Sequence, residues 1–304
     1  MEVLRIVSSG LSAHYRIPFT TSNYRQTYPL APYSTVIGML CNIIGNKDLI
    51  EQNFIVSELG IGIAGTYETI SNEYIWMRNF NSGQHQARFG NSSNRIRDSI
   101  PEHPGGQSPV TVNTLNNVKT LIYIVHPQLN LLQDNMLKPE NWFSHLHLGR
   151  AEDWIKIEQF DLIKLESASR QSSLRWTTNR VKRDSKSSVK GDNSKKDSIR
   201  RYYHWVPGTN YEYRSENNEI TIGQEQFYKD LSAVSMLISS RYELKEIKIE
   251  NESREIRNFH HVPVKLFHGQ VPFFAGVQTP ELWVDTEYAI PVFLTDIFGA
   301  NKAG

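Results

Sequence analysis

Residues Tyr24–Gly38 read YRQTYPLAPYSTVIG, and this stretch decides how the amino-terminal part of the chain folds. Pro29 and Pro32 favour an extended segment, because proline fixes φ and is not tolerated inside a helix. After them, Ser34 can cap a helix that stops at Gly45. The apolar residues of this helix repeat at helical spacing and are Val36, Leu40, Ile43 and Ile44. The stretch therefore predicts an extended loop leading into a helix.

Strand patterns lie on both sides of this predicted helix. They cover Glu2–Val7, Leu59–Tyr67, Glu73–Phe80 and Val118–Val125. In Leu59–Tyr67, bulky residues alternate with glycine and alanine, which is typical of a strand with one nearly bare face. The order strand–helix–strand–strand favours an α+β fold with a ferredoxin-like sheet over a doubly wound one.

The last part of the chain predicts one more helix and two more strands. The strands are expected at Lys245–Glu250 and Val262–Phe267. The helix is expected after Gly223, with four apolar residues on one face: Phe227, Leu231, Val234 and Ile238. We expect residues 206–304 to complete the main body or to form a smaller C-terminal β-rich lobe.

Two segments are too long to be simple connections. Asn81–Asn117 is rich in Asn, Ser, Gly and Pro and carries several arginines. Ser167–Arg201 has eleven Lys and Arg against three Asp, a net charge of +8, which leaves −7 for the rest of a chain whose total is +1. Loops of this length are usually functional or disordered, and a basic segment on an acidic body is typical of contact with phosphates. For the Ser185–Asp197 part, a solvated charge run is an equal alternative.

Motifs for catalysis, metals and membranes are missing from the sequence. It contains no phosphate-binding loop and no Gly-x-Ser-x-Gly elbow, and a single cysteine rules out a CxxC pair. We interpret the histidines at 145, 147, 260, 261 and 268 as satisfied or exposed side chains rather than metal ligands, and we predict no cofactor. No apolar run approaches the roughly 18 residues of a membrane span, and the amino terminus lacks a signal-peptide core, so we expect a cytoplasmic protein.

The residue types in Tyr24–Gly38 also fit the recognition of RNA. Tyrosines stack on bases, Arg25 suits a phosphate, and amides near Ser34 and Thr35 lie where helices bind anions. Gly38 is unfavourable in a helix by about 1 kcal/mol relative to alanine, which indicates a close approach of another group. A proline-bounded loop with core tyrosines and an ordinary helix explains the same residues equally well.

Resemblance to a known family favours the RNA-binding interpretation. Thr27–Leu40 resembles the signature of the CRISPR-associated Cas-five family, a helix entry of the form P-x-[S/T]-[S/T]-x-x-G-x-L. Leu148–Asp153 resembles a second motif of that family, a Leu-Gly-Arg-x-Glu-like turn. The overall pattern is most similar to the type I-B variety.

This resemblance implies a ferredoxin-like body of the RAMP superfamily over residues 1–166, with a protruding thumb at 81–117. It also implies a non-catalytic subunit that caps the 5′ handle of the CRISPR RNA (crRNA) in a Cascade surveillance complex. The implied neighbours are a Cas-seven-type backbone subunit and a Cas-eight-type large subunit. The basic insertion at 167–205 has no counterpart in the family pattern, so its ligand is left open.

Two sets of residues follow from this hypothesis. The RNA would be held by Tyr24, Arg25, Thr27, Tyr28, Ser34 and Thr35 on the body, by Arg78, Arg88, Arg95 and Arg97 on the thumb, and by Arg150 close to the handle. Target DNA or RNA would meet the basic insertion through Arg175, Arg180, Lys182 and Arg183.

The alternative is a metal-independent endoribonuclease. His14, Tyr15 and Tyr24 would then supply the acid and base near a 2′-hydroxyl. A relative of this kind also uses a lysine, but the first lysine of this chain is Lys47. The sequence therefore favours binding without catalysis.

Overall fold

A ten-stranded, mostly antiparallel sheet forms the centre of the chain. The computed structural model describes residues 1–20, 23–51, 58–78, 96–97, 100–101, 107–168, 202–209, 211, 223–249, 252–268 and 281–297. The strands are β1 (Glu2–Ala13), β2 (Tyr24–Arg25), β3 (Gly60–Thr66), β4 (Thr69–Arg78), β5 (Ile96–Arg97), β6 (Ile100–Pro101), β7 (Gln107–Val125), β8 (Ile155–Lys164), β9 (Glu166–Ala168), β10 (Tyr203–Pro207), β11 (Ser235–Ile249), β12 (Glu252–His268), β13 (Leu282–Asp285), β14 (Ile290–Val292) and β15 (Thr295–Asp296). The helices are α1 (Tyr33–Ile44), α2 (Lys47–Leu49), α3 (Leu129–Met136) and α4 (Gln224–Asp230), with a 3-10 turn at Pro139–Asn141.

The main sheet has the strand order β11-β12-β10-β3-β7-β1-β8. Strands β2 and β4 pair with the first half of β7, and β15 pairs with β3. Of the strand pairs in this sheet, β2 with β7 is parallel and the others are antiparallel. A mostly antiparallel sheet with few helices confirms the predicted α+β class.

Helix α1 begins two residues earlier than its sequence suggests. Pro32 is the N-cap residue and makes no side-chain cap hydrogen bond, so the predicted cap at Ser34 is wrong. Ser34 lies inside the first turn, and its hydroxyl is 2.8 Å from that of Ser239 on β11. The predicted stop is confirmed, because Gly45 ends the helix in the left-handed conformation with φ 65°.

Both faces of the central part of the main sheet are buried. On one face, α1 and α3 pack over a core that includes Ile61 and Ile63 of β3. On the other face lie β13 and β14, which form a second sheet with β9. Strand β3 fits between the two layers because its second face is nearly bare, as predicted. A β-carbon at Gly62 would lie 2.9 Å from the backbone oxygen of Phe293.

The second part of the predicted thumb, a loop or hairpin at 81–117, is a strand. Residues 107–117 are the first half of β7, and they pair with β4 from Thr69 opposite Asn116 to Arg78 opposite Gln107. The strand forms because buried Val110 and Val112 alternate with residues on the other face, a period of two that the Asn- and Thr-rich composition hides. Within the predicted thumb, residues 81–95, 98–99 and 102–106 lie outside the described part of the chain. The strands β4 and β7 together are called the long hairpin below.

The predicted C-terminal helix is also wrong in part. Helix α4 ends at Asp230, Val234 is 80% exposed, and Ile238 lies on β11 opposite Val262 of β12. Pairing with β12 outweighs the helical spacing of the apolar residues, since it buries Ile238 within a sheet. The two strands expected nearby are confirmed as parts of the longer β11 and β12.

The C-terminal strands extend the main sheet. Strand β10 pairs with both β3 and β12, which places β11 at the outer edge. This arrangement brings residues from the last third of the chain next to α1. The predicted boundaries at 166, 167–205 and 206 remain predictions.

Candidate nucleic-acid interface

A cleft of about 410 Å³ opens where the end of β1, β2, the amino end of α1, the turn before β8 and strand β11 meet. It combines residues from distant parts of the sequence. Its polar lining consists of His14, Arg16, Arg25, Ser34, Thr35, Arg150, Glu152 and Ser239. Sequence analysis named several of these for RNA binding, and the structure brings Arg25, Ser34, Thr35 and Arg150 together.

The amino end of α1 contributes an anion-binding group to the cleft. Pro32 leaves the helix without a side-chain cap, and no acidic residue lies in the first turn. The partial positive charge of the helix end is therefore not compensated by a side chain of that turn. The hydroxyl groups of Ser34 and Thr35 lie beside it. Backbone amides of this kind bind phosphate readily.

Arg16 and Arg25 form the basic side of the cleft. Burial lowers the pKa of Arg25, and the nearby charge of Arg16 lowers it further. Both side chains stay charged near neutral pH, because an arginine guanidinium does not deprotonate in proteins. Among the described residues, no carboxylate pairs with either guanidinium. Two adjacent cations without a counterion match the chemistry of a phosphate backbone.

Arg150 lies in the cleft but its charge is already compensated. Its guanidinium donates to Asp153 through Nε to Oδ2 at 3.1 Å and through Nη2 to Oδ1 at 2.9 Å. It also donates to Glu73 Oε2 on the long hairpin at 3.1 Å. Burial lowers the pKa of Arg150, but these hydrogen bonds outweigh it and hold the pKa above its usual value. Arg150 therefore ties the turn to the hairpin, and its use for RNA remains a prediction.

Asp153 holds His14 and Arg150, two residues that line the cleft, in place through hydrogen bonds. It is fully buried and accepts hydrogen bonds from Ser12 Oγ and from the backbone N–H groups of His14 and Arg150. Burial raises its pKa, but the bonds from Arg150 and His14 more than offset this, so the pKa lies below its usual value. Gly149 makes the turn possible, because its φ is +122° and a β-carbon there would lie 2.9 Å from Asp153 Oδ2. This explains the Gly-Arg pair of the second motif.

His14 is buried at the end of β1. Its Nδ1 lies 2.8 Å from the carbonyl oxygen of Asn113 on β7, and its Nε2 has no hydrogen-bond partner. Burial lowers the pKa of its ring. Neighbouring Tyr15 is 3% exposed, and burial raises the pKa of its hydroxyl well above the usual value. Of the three residues named for acid–base catalysis, His14 is the one that lines the cleft and has a ring nitrogen without a partner.

Three predicted RNA-binding residues have other roles in the structure. Tyr28 is 7% exposed and packs edge-on against Trp205 with ring centres 6.1 Å apart, so its ring belongs to the core in this structure, and its stacking on a base stays a prediction. Thr27 Oγ1 accepts from the backbone N–H of Tyr15 at 2.8 Å and donates to the carbonyl of Tyr28. Tyr24 alternates with Arg25 along β2, so its ring lies on the opposite face from the cleft.

That opposite face of the long hairpin carries an aromatic group that sequence analysis missed. Tyr74 and Trp76 are 65% and 58% exposed, with ring centres 6.1 Å apart. Tyr24 is 40% exposed at the same level, and its hydroxyl accepts from Asn113 Nδ2 at 3.1 Å. The alternation of Tyr74 and Trp76 with Ile75 in the sequence was the available signal.

Gly38 has no close neighbour. It is exposed, and a β-carbon there would meet nothing within 4 Å. The expected close approach is therefore not made by any described part of this chain. Arg16 and Ser239 were missed altogether, because Arg16 reaches the cleft through its bridge to Thr27 and Ser239 through the pairing of β11.

The remaining predicted contacts cannot be placed. Arg78 and Arg97 lie on β4 and β5, but the description covers their backbone alone. The others fall outside the described residues: Arg88, Arg95, Arg175, Arg180, Lys182 and Arg183. Within the described part of the chain, no group of His, Cys, Asp or Glu is arranged to hold a metal ion. In the same part, no helix has the length and apolar composition needed to cross a membrane.

Comparison with known proteins gives distant structural likenesses. No family model and no curated protein matches the chain. A solved chain titled "CRISPR RNA-guided surveillance complex" is 10% identical, with a TM-score of 0.45 over 91% of both chains. A "CRISPR protein from Archaeoglobus fulgidus" is 11% identical, with a TM-score of 0.36 over 97% of this chain and 99% of the other. A chain titled "CRISPR associated protein Cas6" is 8% identical, with a TM-score of 0.26 over 98% of this chain and 100% of the other. At these identities and scores, the likenesses establish neither a common fold nor a common function.

Proposed function

We propose that this chain is a non-catalytic, RNA-binding subunit of a type I CRISPR Cascade complex, similar to the I-B variety, and that it caps the 5′ handle of the crRNA. The observation that carries the proposal is the cleft, in which Arg16 and Arg25 lie beside the uncapped amino end of α1. Guanidinium groups, helix amides and the hydroxyls of Ser34, Thr35 and Ser239 all donate hydrogen bonds. A phosphate–sugar backbone, which is rich in acceptors, is the ligand that this chemistry suits best.

The connectivity of the body supports the ferredoxin-like form of the RAMP superfamily. The order β1–α1–β3–β7–α3–β8 is strand, helix, two strands, helix and strand. In the sheet these four strands lie in the order β3-β7-β1-β8. This is the split βαβ pattern of ferredoxin-like proteins. We propose that the long hairpin, strands β4 and β7, forms the base of the thumb.

The nucleic acid that copurifies with the chain in its assembled complex tests the proposal. We expect RNAs that share one 5′ end, established by sequencing. Arg16→Gln combined with Arg25→Gln should reduce the bound RNA, whereas Lys47→Gln with Lys138→Gln should not. Both control lysines are exposed and lie near the opposite end of α1. RNAs with heterogeneous 5′ ends would contradict handle capping.

The same hypothesis proposes contacts with a Cas-seven-type backbone subunit and a Cas-eight-type large subunit. It leaves target DNA as a ligand of the basic insertion. Deleting Ser173–Ser198 should then weaken DNA capture and leave guide RNA bound. Loss of guide RNA on that deletion would argue instead that the insertion holds the RNA.

An endoribonuclease is the second candidate, because the neutral ring of His14 lines the cleft with an unused nitrogen. Tyr15 is buried in the core, and Tyr24 lies on the opposite face of the hairpin. Catalysis would therefore need a different partner for His14. Incubating the full chain with CRISPR repeat RNA in the presence of a chelator tests this. Specific cleavage that His14→Ala abolishes would replace the binding proposal.

A further inference from the structure

His14 combines a fixed orientation with an unused hydrogen-bond acceptor. The residue is 6% exposed, and its backbone N–H donates to Asp153 Oδ2 at 3.0 Å. Its Nδ1 lies 2.8 Å from the carbonyl oxygen of Asn113. Since a carbonyl oxygen only accepts hydrogen bonds, Nδ1 carries the proton in this contact. In the neutral ring, Nε2 is then an acceptor, and it has no partner in the structure.

The environment keeps the ring of His14 neutral. Burial lowers its pKa, and the charges of Arg150 and Arg25 act in the same direction. The carbonyl of Asn113 and the carboxylate of Asp153 act in the opposite direction but do not outweigh them. The ring therefore stays uncharged near pH 7, and Nε2 keeps its acceptor lone pair.

Most other polar groups of the cleft are donors. The guanidinium groups and the amino end of α1 suit phosphate oxygens, which cannot donate to Nε2. The carboxylate of Glu152 is a further acceptor, but it lies 3.4 Å from the guanidinium of Arg150. A ligand that fits the whole cleft therefore presents one donor among its acceptors. In a nucleic acid, the 2′-hydroxyl next to each phosphate is such a donor, and DNA lacks it.

We propose that His14 Nε2 accepts a hydrogen bond from a ribose 2′-hydroxyl, so that His14 distinguishes RNA from DNA in this cleft. The inference rests on the proposed function, since it assumes that the cleft holds RNA. Nε2 is shielded from solvent without a ligand. RNA binding therefore requires the groups that cover Nε2 to shift. The ribose then satisfies an acceptor that is otherwise buried without a partner.

Single changes at the ribose test the inference with the wild-type chain. The probe is a synthetic RNA with the sequence that copurifies, in which one nucleotide of the 5′ segment at a time carries 2′-deoxy or 2′-fluoro. Neither group donates a hydrogen bond. At the one nucleotide whose ribose contacts His14, we expect 2′-deoxy and 2′-fluoro each to weaken binding about tenfold, because one hydrogen bond to a buried acceptor is lost. Equal binding of all the 2′-substituted RNAs would overturn the inference, and a base amine would then be the remaining donor.

Two substitutions at His14 form a matched pair. His14→Asn keeps an amide N–H near the position of Nδ1 for the Asn113 carbonyl but removes the acceptor at Nε2. His14→Gln places its side-chain oxygen near the position of Nε2. At the sensitive position we expect the ribo-to-deoxy preference to disappear in His14→Asn and to persist in His14→Gln.

The outcomes separate this inference from the proposed function. An unchanged ribo-to-deoxy preference in a folded His14→Asn chain would overturn the role of His14 while handle binding stands. If the chain bound the copurifying RNA no more tightly than an RNA of unrelated sequence, the proposed function itself would be overturned. Cleavage of the RNA by the wild type and by neither variant would make His14 a catalytic base and would also overturn the inference.

Discussion

Removing the two unpaired guanidinium groups of the cleft should change how RNA binding depends on salt. In Arg16→Gln with Arg25→Gln, the cleft keeps hydroxyl and amide donors but loses two positive charges. Single-stranded nucleic acid gives a log–log salt slope of about −0.7 for each phosphate neutralised, so the double variant should bind with a slope smaller by about 1.4. Over a tenfold increase in salt, the affinity of the wild-type chain should therefore fall about 25-fold more than that of the double variant.

Fluorescence anisotropy with a labelled handle-bearing RNA measures this slope at several potassium chloride concentrations. The Lys47→Gln and Lys138→Gln chain is the control, since it loses the same charge elsewhere. Helix α1 has 12 residues, so Lys47 follows it roughly 18 Å from its amino end, beyond the screening length of about 10 Å at 0.1 M salt. Equal slopes in the cleft variant and this control would refute the assignment of phosphate contacts to Arg16 and Arg25.

Four further substitutions test the structure of the cleft and of the body that carries it. Burial lowers the pKa of His204 to about 3. Between this pKa and ~6.5 only the unfolded chain takes up the proton, so the free energy of unfolding should fall by about 1.4 kcal/mol per pH unit as the pH drops below ~6.5. Urea unfolding of His204→Phe should show a smaller fall. Gly149→Ala should lower the free energy of unfolding by about 1–3 kcal/mol, since alanine at φ +122° is strained and crowds Asp153. Gly38→Ala should do the opposite and stabilise the chain by up to about 1 kcal/mol, because its β-carbon meets open space in a helix; a loss of stability there would contradict the described surface. Tyr28→Phe should leave RNA affinity within about twofold, as expected for a core ring whose hydroxyl touches no ligand, and a large loss would show that this hydroxyl contacts the RNA.

The sequence predicted the elements whose signals are local. Gly45 marked the end of α1, and the alternation in β3 predicted its bare face, because both depend on neighbouring residues alone. The helix predicted through Val234 and Ile238 is wrong because its signal, too, came from neighbouring residues alone. Its spacing suits a helix, but pairing with β12 decides the conformation, and spacing within one segment carries no information about a partner strand.

Sequence analysis predicted some of the residues that line the cleft and missed others. Arg25, Ser34 and Thr35 line the cleft as expected, since they flank a helix start that sequence can locate. Tyr28 turned inward because Trp205, far away in the sequence, completes its packing. Arg16 and Ser239 carried no motif of their own, and only the strand pairings bring them to the helix end. A composition-based interpretation of one segment cannot separate a tyrosine that faces a ligand from one that faces the core.

The central position of β1 also determines when its strand pairs can form during synthesis. Strand β1 lies between β7 and β8, so neither of its partner segments exists until more than one hundred further residues have been made. Its ladder closes only over long stretches of chain, which is typical of slow folding. Ser239 joins the cleft later still. The cleft is therefore incomplete until Ser239 has been synthesised.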